Sequence, residues 1–180
     1  MGTTSSASDR LAWVAGVVAA APGERVLEVG CGHGVLVTLL AAAVGDGGRV
    51  VVVDRSARMV AAAARRNQAA VDAGRVRLVT APLAAADLGD ERFDAVVASN
   101  VRAFWTPPAP EWDVLDRVLA AGGRVVVASS LMDPGAGPRL VAGLADVAGS
   151  RGFAVSATTS TATTRPYATA AVELRRPADG

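Results

Sequence analysis

Residues 26–34 constrain the fold more than any other stretch of the chain. They read Val-Leu-Glu-Val-Gly-Cys-Gly-His-Gly, so a short apolar run suited to a buried strand leads into a turn with three alternating glycines. The apolar run at 35–44 then predicts a helix. Glycine adopts positive φ cheaply and has no Cβ, so its backbone N–H can approach a ligand closely. The stretch predicts a strand, a ligand-binding turn and a helix; a tight connection without a ligand is the alternative.

A second buried strand ends in an acid that fits such a ligand. Residues 49–54 read Arg-Val-Val-Val-Val-Asp, which places Asp54 where a carboxylate can accept hydrogen bonds from ribose hydroxyls. The dinucleotide fingerprint requires glycine at its first, third and sixth positions, but the sixth position here is Val35. The pattern therefore favours a nucleoside-containing cofactor and disfavours NAD.

Strands and helices alternate along the rest of the chain. The predicted strands are 75–80, 93–99 and 124–129. The predicted helices are 56–73, 111–120 and 139–148. A closing antiparallel hairpin is predicted from residues 153–159 and 167–175. Residues 1–8 are expected to be disordered, and 9–180 to form one domain whose first helix is capped by Ser8 or Asp9. This alternation implies a parallel sheet covered on both faces, with ligands at the carboxyl ends of its strands.

Two motifs resemble those of the class I S-adenosylmethionine-dependent methyltransferases. Residues 26–34 look like their motif I, residues 51–59 look like the acidic-strand motif that follows, and the resemblance extends through Arg124. It implies a single-domain, Rossmann-like, doubly wound and mostly parallel seven-stranded sheet, with a reversed last strand and helices on both faces. It also implies S-adenosylmethionine as the cofactor.

The resemblance assigns a set of cofactor-binding residues. These are Glu28, Gly30, Cys31, Gly32, Gly34, Asp54, Arg55, Pro82, Leu83 and Asn100. Glu28 either accepts hydrogen bonds from loop amides or from the cofactor's ammonium, or only braces the turn. The family usually has an acid soon after the third strand, where it contacts the adenine amino group. Pro82 stands there in this chain, which leaves only the Leu83 amide to bind the ring.

The residues that follow the fourth strand are candidates for substrate contact. Asn100 stands where the methyl group is expected to emerge, Arg102 can hold an anionic substrate or face solvent, and Phe104 with Trp105 forms either a pocket wall or core packing. No catalytic residue is identified. The ordinary candidates for a general base are His33 and Asp133, and we expect catalysis by proximity and orientation instead.

Composition narrows the possible partners. The chain has 18 basic and 17 acidic residues, a net charge of +1, and no basic run longer than a pair, so no nucleic-acid partner is expected. One Cys and one His cannot form a structural zinc site, and no metal is expected. The single Cys is compatible with a reducing cytoplasm, and no signal peptide is visible, so a cytoplasmic protein is expected. No apolar run is long enough to span a bilayer, so no membrane partner is expected. The abundance of Ala, Arg, Val and Gly suggests a bacterial source.

These observations predict an enzyme that moves a methyl group from S-adenosylmethionine to a small-molecule acceptor, as a monomer or homodimer. A non-catalytic S-adenosylmethionine-binding subunit or regulator is one alternative. An NAD-dependent oxidoreductase is a second, which Val35 disfavours.

Overall fold

The computed structural model describes residues 3–133, 135–161 and 168–177, which form seven strands and six α-helices. The strands are β1 (Arg25–Val29), β2 (Arg49–Asp54), β3 (Val76–Thr80), β4 (Phe93–Ser99), β5 (Leu119–Leu131), β6 (Ala154–Thr161) and β7 (Ala168–Arg175). The helices are α1 (Thr3–Val18), α2 (Val35–Val44), α3 (Ala57–Arg66), α4 (Gln68–Asp72), α5 (Glu111–Val118) and α6 (Ala136–Gly149).

All seven strands belong to one sheet, in the order β3-β2-β1-β4-β5-β7-β6. Strand β7 pairs antiparallel with both β5 and β6, and every other neighbouring pair is parallel. The predicted Rossmann-like, mostly parallel seven-stranded sheet with a reversed last strand is therefore confirmed.

The core lies on both faces of the sheet, because successive strand residues point to opposite sides. Val26 and Val50 pack with α1, α2 and α3, whereas their neighbours Leu27 and Val51 pack with α5 and α6. All four of these side chains are fully buried. Burial on both faces explains why the central strands read as continuous apolar runs instead of alternating patterns.

The predicted start of the first helix is wrong. Helix α1 begins at Thr3 and not after a cap at Ser8 or Asp9, so helix is present within residues 1–8, where the sequence suggests disorder. Ser, Thr and Ala each cost at most about 0.7 kcal/mol in a helix. Extending an existing helix also needs no new nucleus. The assignment of 9–180 as one domain stays a prediction.

The boundary between α5 and β5 also differs from the prediction. The sequence predicts a helix over 111–120 and a strand from 124, but α5 ends at Val118, and Gly122 and Gly123 lie inside β5. The pairing of β4 with β5 shifts register there, because Phe93 pairs with Leu119 while Ala95 pairs with Arg124. Glycine inside a strand commonly marks such a bulge.

Two further boundaries depend on single side chains. Helix α6 begins at Ala136 and so includes Pro138 in its first turn, where a missing N–H leaves no hydrogen bond unmade. The predicted helix over 56–73 is divided at Asn67, whose buried amide donates to the carbonyls of Gly34 and Ala63. The connection at 162–167, with Pro166, lies outside the described residues.

Arg124 fixes the end of α1 against the sheet. Its guanidinium donates to the carbonyls of Val18 (2.9 Å) and Ala19 (3.1 Å) and binds the Glu24 carboxylate at 2.7 and 2.9 Å. Arg10, nearer the start of the same helix, donates to Ser99 Oγ (2.8 Å) at the carboxyl end of β4. Helix α1 therefore crosses the sheet from its carboxyl edge to its amino edge.

In the part of the chain that the structure describes, no helix is both long enough and apolar enough to cross a membrane.

Candidate cofactor site

The glycine turn between β1 and α2 requires glycine for two different reasons. Gly30, Gly32 and Gly34 have φ of 82°, 49° and 78°, a region that other residues enter at a cost of roughly 1–2 kcal/mol. A Cβ on Gly34 would also lie 2.7 Å from Ala63 Cα, and one on Gly30 would lie 2.6 Å from Val101 Cγ2. These two glycines are fixed by packing as well as by φ. A Cβ on Gly32 would meet no described atom within 4 Å, so that position faces open space.

Asp54 holds this turn in place from the end of β2. Its Oδ2 accepts a hydrogen bond from the Cys31 amide (3.0 Å), and its Oδ1 accepts one from the Ser56 amide (2.9 Å). The Cys31 thiol lies 3.6 Å from the same Oδ2. Burial, together with the negative charge of Asp54, raises the pKa of Cys31 to about 12, so the thiol stays protonated and unreactive.

A pocket of about 530 Å³ opens at the carboxyl ends of β1, β2, β3 and β4. Its volume lies within the usual range of small-molecule sites, roughly 300–1,000 Å³. The residues that line it are Val29, Gly30, Val53, Asp54, Arg55, Ala81, Pro82, Leu83, Asn100, Val101, Arg102, Ala103 and Glu111.

The pocket brings together seven of the residues predicted from the sequence. They are Gly30, Asp54, Arg55, Pro82, Leu83, Asn100 and Arg102. Among the described residues, Glu28, Cys31, Gly32, Gly34 and Trp105 are predicted site residues that do not line it. Gly34 packs against α3, and Cys31 is buried beneath the turn, so both shape the loop and do not form the pocket wall.

Glu28 does not brace the turn by hydrogen bonding. It is 2 % exposed, and among the described residues its Oε2 has no hydrogen-bond partner. Burial, with the nearby Asp54 charge, raises the pKa of Glu28 well above its usual value. The bracing contact to the Cys31 amide comes from Asp54 instead. Glu28 is thus a buried acid with an unused acceptor directly before the turn.

Asn100 is held in place by β5. Its φ is +60°, a left-handed conformation that Asn tolerates better than most residues. Its side-chain Oδ1 accepts a hydrogen bond from the Ser130 amide (2.8 Å), and its Nδ2 donates to Ser130 Oγ (3.4 Å). The Asn100 amide side chain therefore ties the end of β4, where it borders the pocket, to the neighbouring strand β5.

Of the two aromatic residues that could form a pocket wall or pack in the core, Phe104 is in the core and Trp105 is half-buried against it. Phe104 is fully buried and meets Trp112 edge to face, with ring centroids 5.6 Å apart. Trp105 packs against the same apolar cluster, with its backbone beside Gly143 of α6. Trp105 therefore does not line this pocket, and its contact with the substrate stays a prediction.

Neither candidate base lies in the pocket. Among the described residues, His33 is exposed outside the lining, and its carbonyl accepts a hydrogen bond from Arg66 Nε (2.9 Å). Asp133 forms an exposed ion pair with Arg139, with both carboxylate oxygens 2.8 Å from one guanidinium nitrogen. Arg102, by contrast, is exposed and lines the pocket.

Sequence reasoning missed Glu111. It is the first residue of α5 and lines the pocket, although in the sequence it is indistinguishable from an acid that stabilises a helix start. Glu111 is distant in sequence from the glycine turn, so no local motif could have identified it.

A doubly wound sheet with a cofactor-sized pocket beside a glycine turn and a strand-ending acid defines a nucleoside-cofactor-binding protein. A protein-family model described as a methyltransferase domain matches the sequence of residues 26–123, which is more than half of the chain. The chain therefore belongs to the S-adenosylmethionine-dependent methyltransferase family, as the sequence predicts. S-adenosylmethionine is confirmed as its cofactor.

Three known proteins illustrate the similarity. The chain is 38% identical over 125 residues to a demethylmenaquinone methyltransferase of Clavibacter sepedonicus, covering 68% of this chain and 49% of that one. It is 35% identical over 109 residues to an arsenite methyltransferase of Halobacterium salinarum, covering 61% and 28%. A crystal structure of a methyltransferase from Aquifex aeolicus superimposes with a TM-score of 0.73 at 19% identity, covering 91% and 88%.

The chain spans about half, or less, of the length of the curated relatives that it matches.

Proposed function

We propose that this chain is an enzyme that transfers a methyl group from S-adenosylmethionine to a small-molecule acceptor. The observation that carries the proposal is the pocket at the carboxyl ends of β1–β4, which combines Gly30 of the turn with Asp54 of β2 in a chain of this family. An NAD-dependent oxidoreductase is not supported, because Val35 stands where the dinucleotide fingerprint requires its last glycine.

The pocket residues fit the parts of the cofactor. Asp54 has two oxygens with lone pairs to spare after binding two amides, so it is suited to ribose hydroxyls. Glu28 does not line the pocket, but its buried Oε2 has no partner among the described residues and can accept a hydrogen bond from a donor that reaches the base of the turn. The apolar walls formed by Pro82, Leu83 and Val101 are suited to a flat purine.

When bound, S-adenosylmethionine supplies a methyl group made electrophilic by its sulfonium. The contribution of this chain is then to bind, orient and exclude water. Asn100, held by Ser130, gives the pocket a fixed edge at the end of β4. The pocket lining contains no His or Cys. Its two acids are Asp54, which is already bonded to two amides, and Glu111, which α5 places beside the turn that follows Pro82. Positioning of an acceptor that is already nucleophilic therefore accounts best for catalysis, as the sequence suggests.

A small molecule is the acceptor that the observations favour. The relatives named above methylate arsenite and demethylmenaquinone by their names, and both are small. The net charge of +1 and the absence of a basic run longer than a pair do not favour RNA. Arg102, exposed at the pocket, is suited to an anionic acceptor. We keep the monomer or homodimer, the cytoplasmic location and the independence from metal as predictions.

The test uses S-adenosylmethionine that carries a labelled methyl group. The protein is incubated with a bacterial small-molecule extract and, separately, with total RNA, and Asp54→Ala serves as the control. Label in low-molecular-mass products that depends on Asp54 supports the proposal. If the label appears only in RNA, the acceptor is RNA and not a small molecule. Cofactor binding by calorimetry without any transfer would favour the non-catalytic binding subunit.

A further inference from the structure

The pocket contains one side-chain acceptor that no described residue uses. Most of its wall is apolar. The Asp54 carboxylate already accepts from two amides, and the Asn100 amide is bonded to Ser130. Arg55 and Arg102 can only donate. Glu111 remains, and among the described residues its side chain makes no hydrogen bond or ion pair.

One Glu111 carboxylate oxygen is poorly satisfied without a ligand. Its Oε2 is shielded from solvent and has no partner in the described part of the chain. A shielded carboxylate oxygen without a donor is costly, so a ligand that brings an N–H to this group is favoured. Helix α5, which begins at Glu111, packs against the 3-10 turn Leu83–Ala85 directly after Pro82. Glu111 and Pro82 thus border one cavity.

The cofactor offers a matching donor. With its ribose at Asp54, its charged methionine end is expected near the turn amides and Glu28, which leaves the apolar walls of Pro82, Leu83 and Val101 to the adenine. Adenine carries an exocyclic amino group with two N–H donors, and the wall it faces has no other free acceptor side chain among the described residues.

We propose that Glu111 accepts a hydrogen bond from the 6-amino group of the adenine, and so selects adenosine-containing cofactors. This inference rests on the proposed function. Glu111 would take the role for which the resemblance suggests an acid at Pro82. A first-turn acid can also act only on the helix dipole. Asp113 lies in the same helical turn and can have only the effect on the helix dipole. It is exposed, pairs with Arg151 at 2.8 Å and does not line the pocket.

The experiment compares two ligands by isothermal titration calorimetry. One is S-adenosylhomocysteine, and the other is its analogue in which hydrogen replaces the 6-amino group. The wild-type protein is expected to prefer the amino compound about ten- to a hundredfold, the usual effect of one hydrogen bond to a charged group. Glu111→Ala should reduce that preference to less than about threefold, because the acceptor is gone. Asp113→Ala should keep the wild-type preference.

The conservative variant decides the outcome if Glu111→Ala does not fold. Glu111→Gln keeps an amide oxygen, and a neutral acceptor makes a bond about half as strong as a charged one, so its preference should be intermediate. An unchanged preference in both variants, or in Glu111→Gln alone when Glu111→Ala is unfolded, overturns the inference and leaves the proposed function standing. A wild-type protein that binds neither ligand overturns both.

Discussion

Asp54 combines a structural and a ligand-binding position in one carboxylate. It accepts hydrogen bonds from the Cys31 and Ser56 amides and also lines the pocket. We expect Asp54→Ala to weaken S-adenosylhomocysteine binding by about 1–3 kcal/mol, the usual cost of leaving buried polar partners unmet. Calorimetry measures the change in affinity. Unchanged affinity in a folded Asp54→Ala protein would remove Asp54 from the cofactor site.

Asp94 provides the matched control. Its Oδ2 also accepts a backbone amide, that of Arg25 (2.8 Å), but at the amino end of the strands, away from the pocket. Asp94→Ala should lower the free energy of unfolding, while the affinity for S-adenosylhomocysteine stays at the wild-type value.

Glu28 predicts a specific pH dependence of stability. Its pKa in the folded protein is raised by burial and by the Asp54 charge, so the folded state keeps this proton at a pH where the unfolded state, with a pKa near about 4.3, has lost it. The contribution is therefore fully present below that unfolded pKa and is lost as pH rises through the folded pKa. Without ligand, Glu28→Gln should lose less stability than the wild type between about pH 5 and pH 8 in urea titrations.

Glu24 supplies a control of opposite sign. Its hydrogen bond to Arg124 lowers the pKa of the Glu24 carboxyl. Its contribution is present above the unfolded pKa and is lost as pH falls through the folded value. Glu24→Gln should therefore lose less stability than the wild type on acidification. Parallel pH profiles for Glu28→Gln and the wild type would contradict the account of Glu28.

At this scale the sequence predicts residues whose role follows from their place in a motif. Gly30 and Asp54 could be assigned because a strand, a glycine turn and a strand-ending acid are local patterns. Glu28 could be predicted as a site residue, but the absence of a partner for its Oε2 depends on tertiary packing. Glu111 could not be predicted, since only the folded chain brings it beside Pro82.

The glycine turn gives a prediction at the scale of the element. Gly32→Ala adds only the strain of a positive φ, about 1–2 kcal/mol, because its Cβ would meet no described atom within 4 Å. Gly34→Ala adds the same strain and a Cβ 2.7 Å from Ala63 Cα, so overpacking costs roughly 1–3 kcal/mol more. Thermal and chemical unfolding of the two variants should show the larger loss for Gly34→Ala. Equal losses would mean that α3 moves away from the turn.

Element boundaries are where the sequence fails most. Periodicity located every strand of the sheet, but it started the fifth strand at residue 124, although β5 begins at Leu119 and has a bulge that includes Gly122 and Gly123. It likewise could not place the division at Asn67, which depends on a hydrogen bond to Gly34 from another element. Both errors arise where a contact distant in sequence overrides local preference.

For the molecule as a whole we predict one cooperative unfolding transition that the cofactor product shifts. All seven strands share one sheet with a core on each face, so no part has a separate core. S-adenosylhomocysteine at about 100 times its Kd should add about 2.7 kcal/mol and raise Tm by about 5–11 °C. NAD at the same concentration should leave Tm unchanged. A comparable shift by NAD would reopen the oxidoreductase alternative.

The topology was the part of the whole molecule least accessible from periodicity. Alternating strands and helices indicate a parallel sheet, but strand order and the reversal of β7 came only with the family resemblance. The methyl acceptor is even harder to predict from the sequence. The residues that would face it lie in loops such as 100–110, and the fold does not determine the sequence of such loops.

The reversal of β7 also determines how the protein can be attached to a surface. Because β7 runs against the other strands, Arg175 lies beside Ala154 at the amino edge, and its guanidinium reaches the Gly122 carbonyl there. An immobilisation tag joined beyond β7 thus leaves from the edge opposite the pocket. The middle of α1 lies at the carboxyl edge of the sheet, since Arg10 contacts Ser99 at the end of β4. A biosensor surface that captures the protein through a tag joined after the last residue of β7 will leave the pocket open to the ligand in solution.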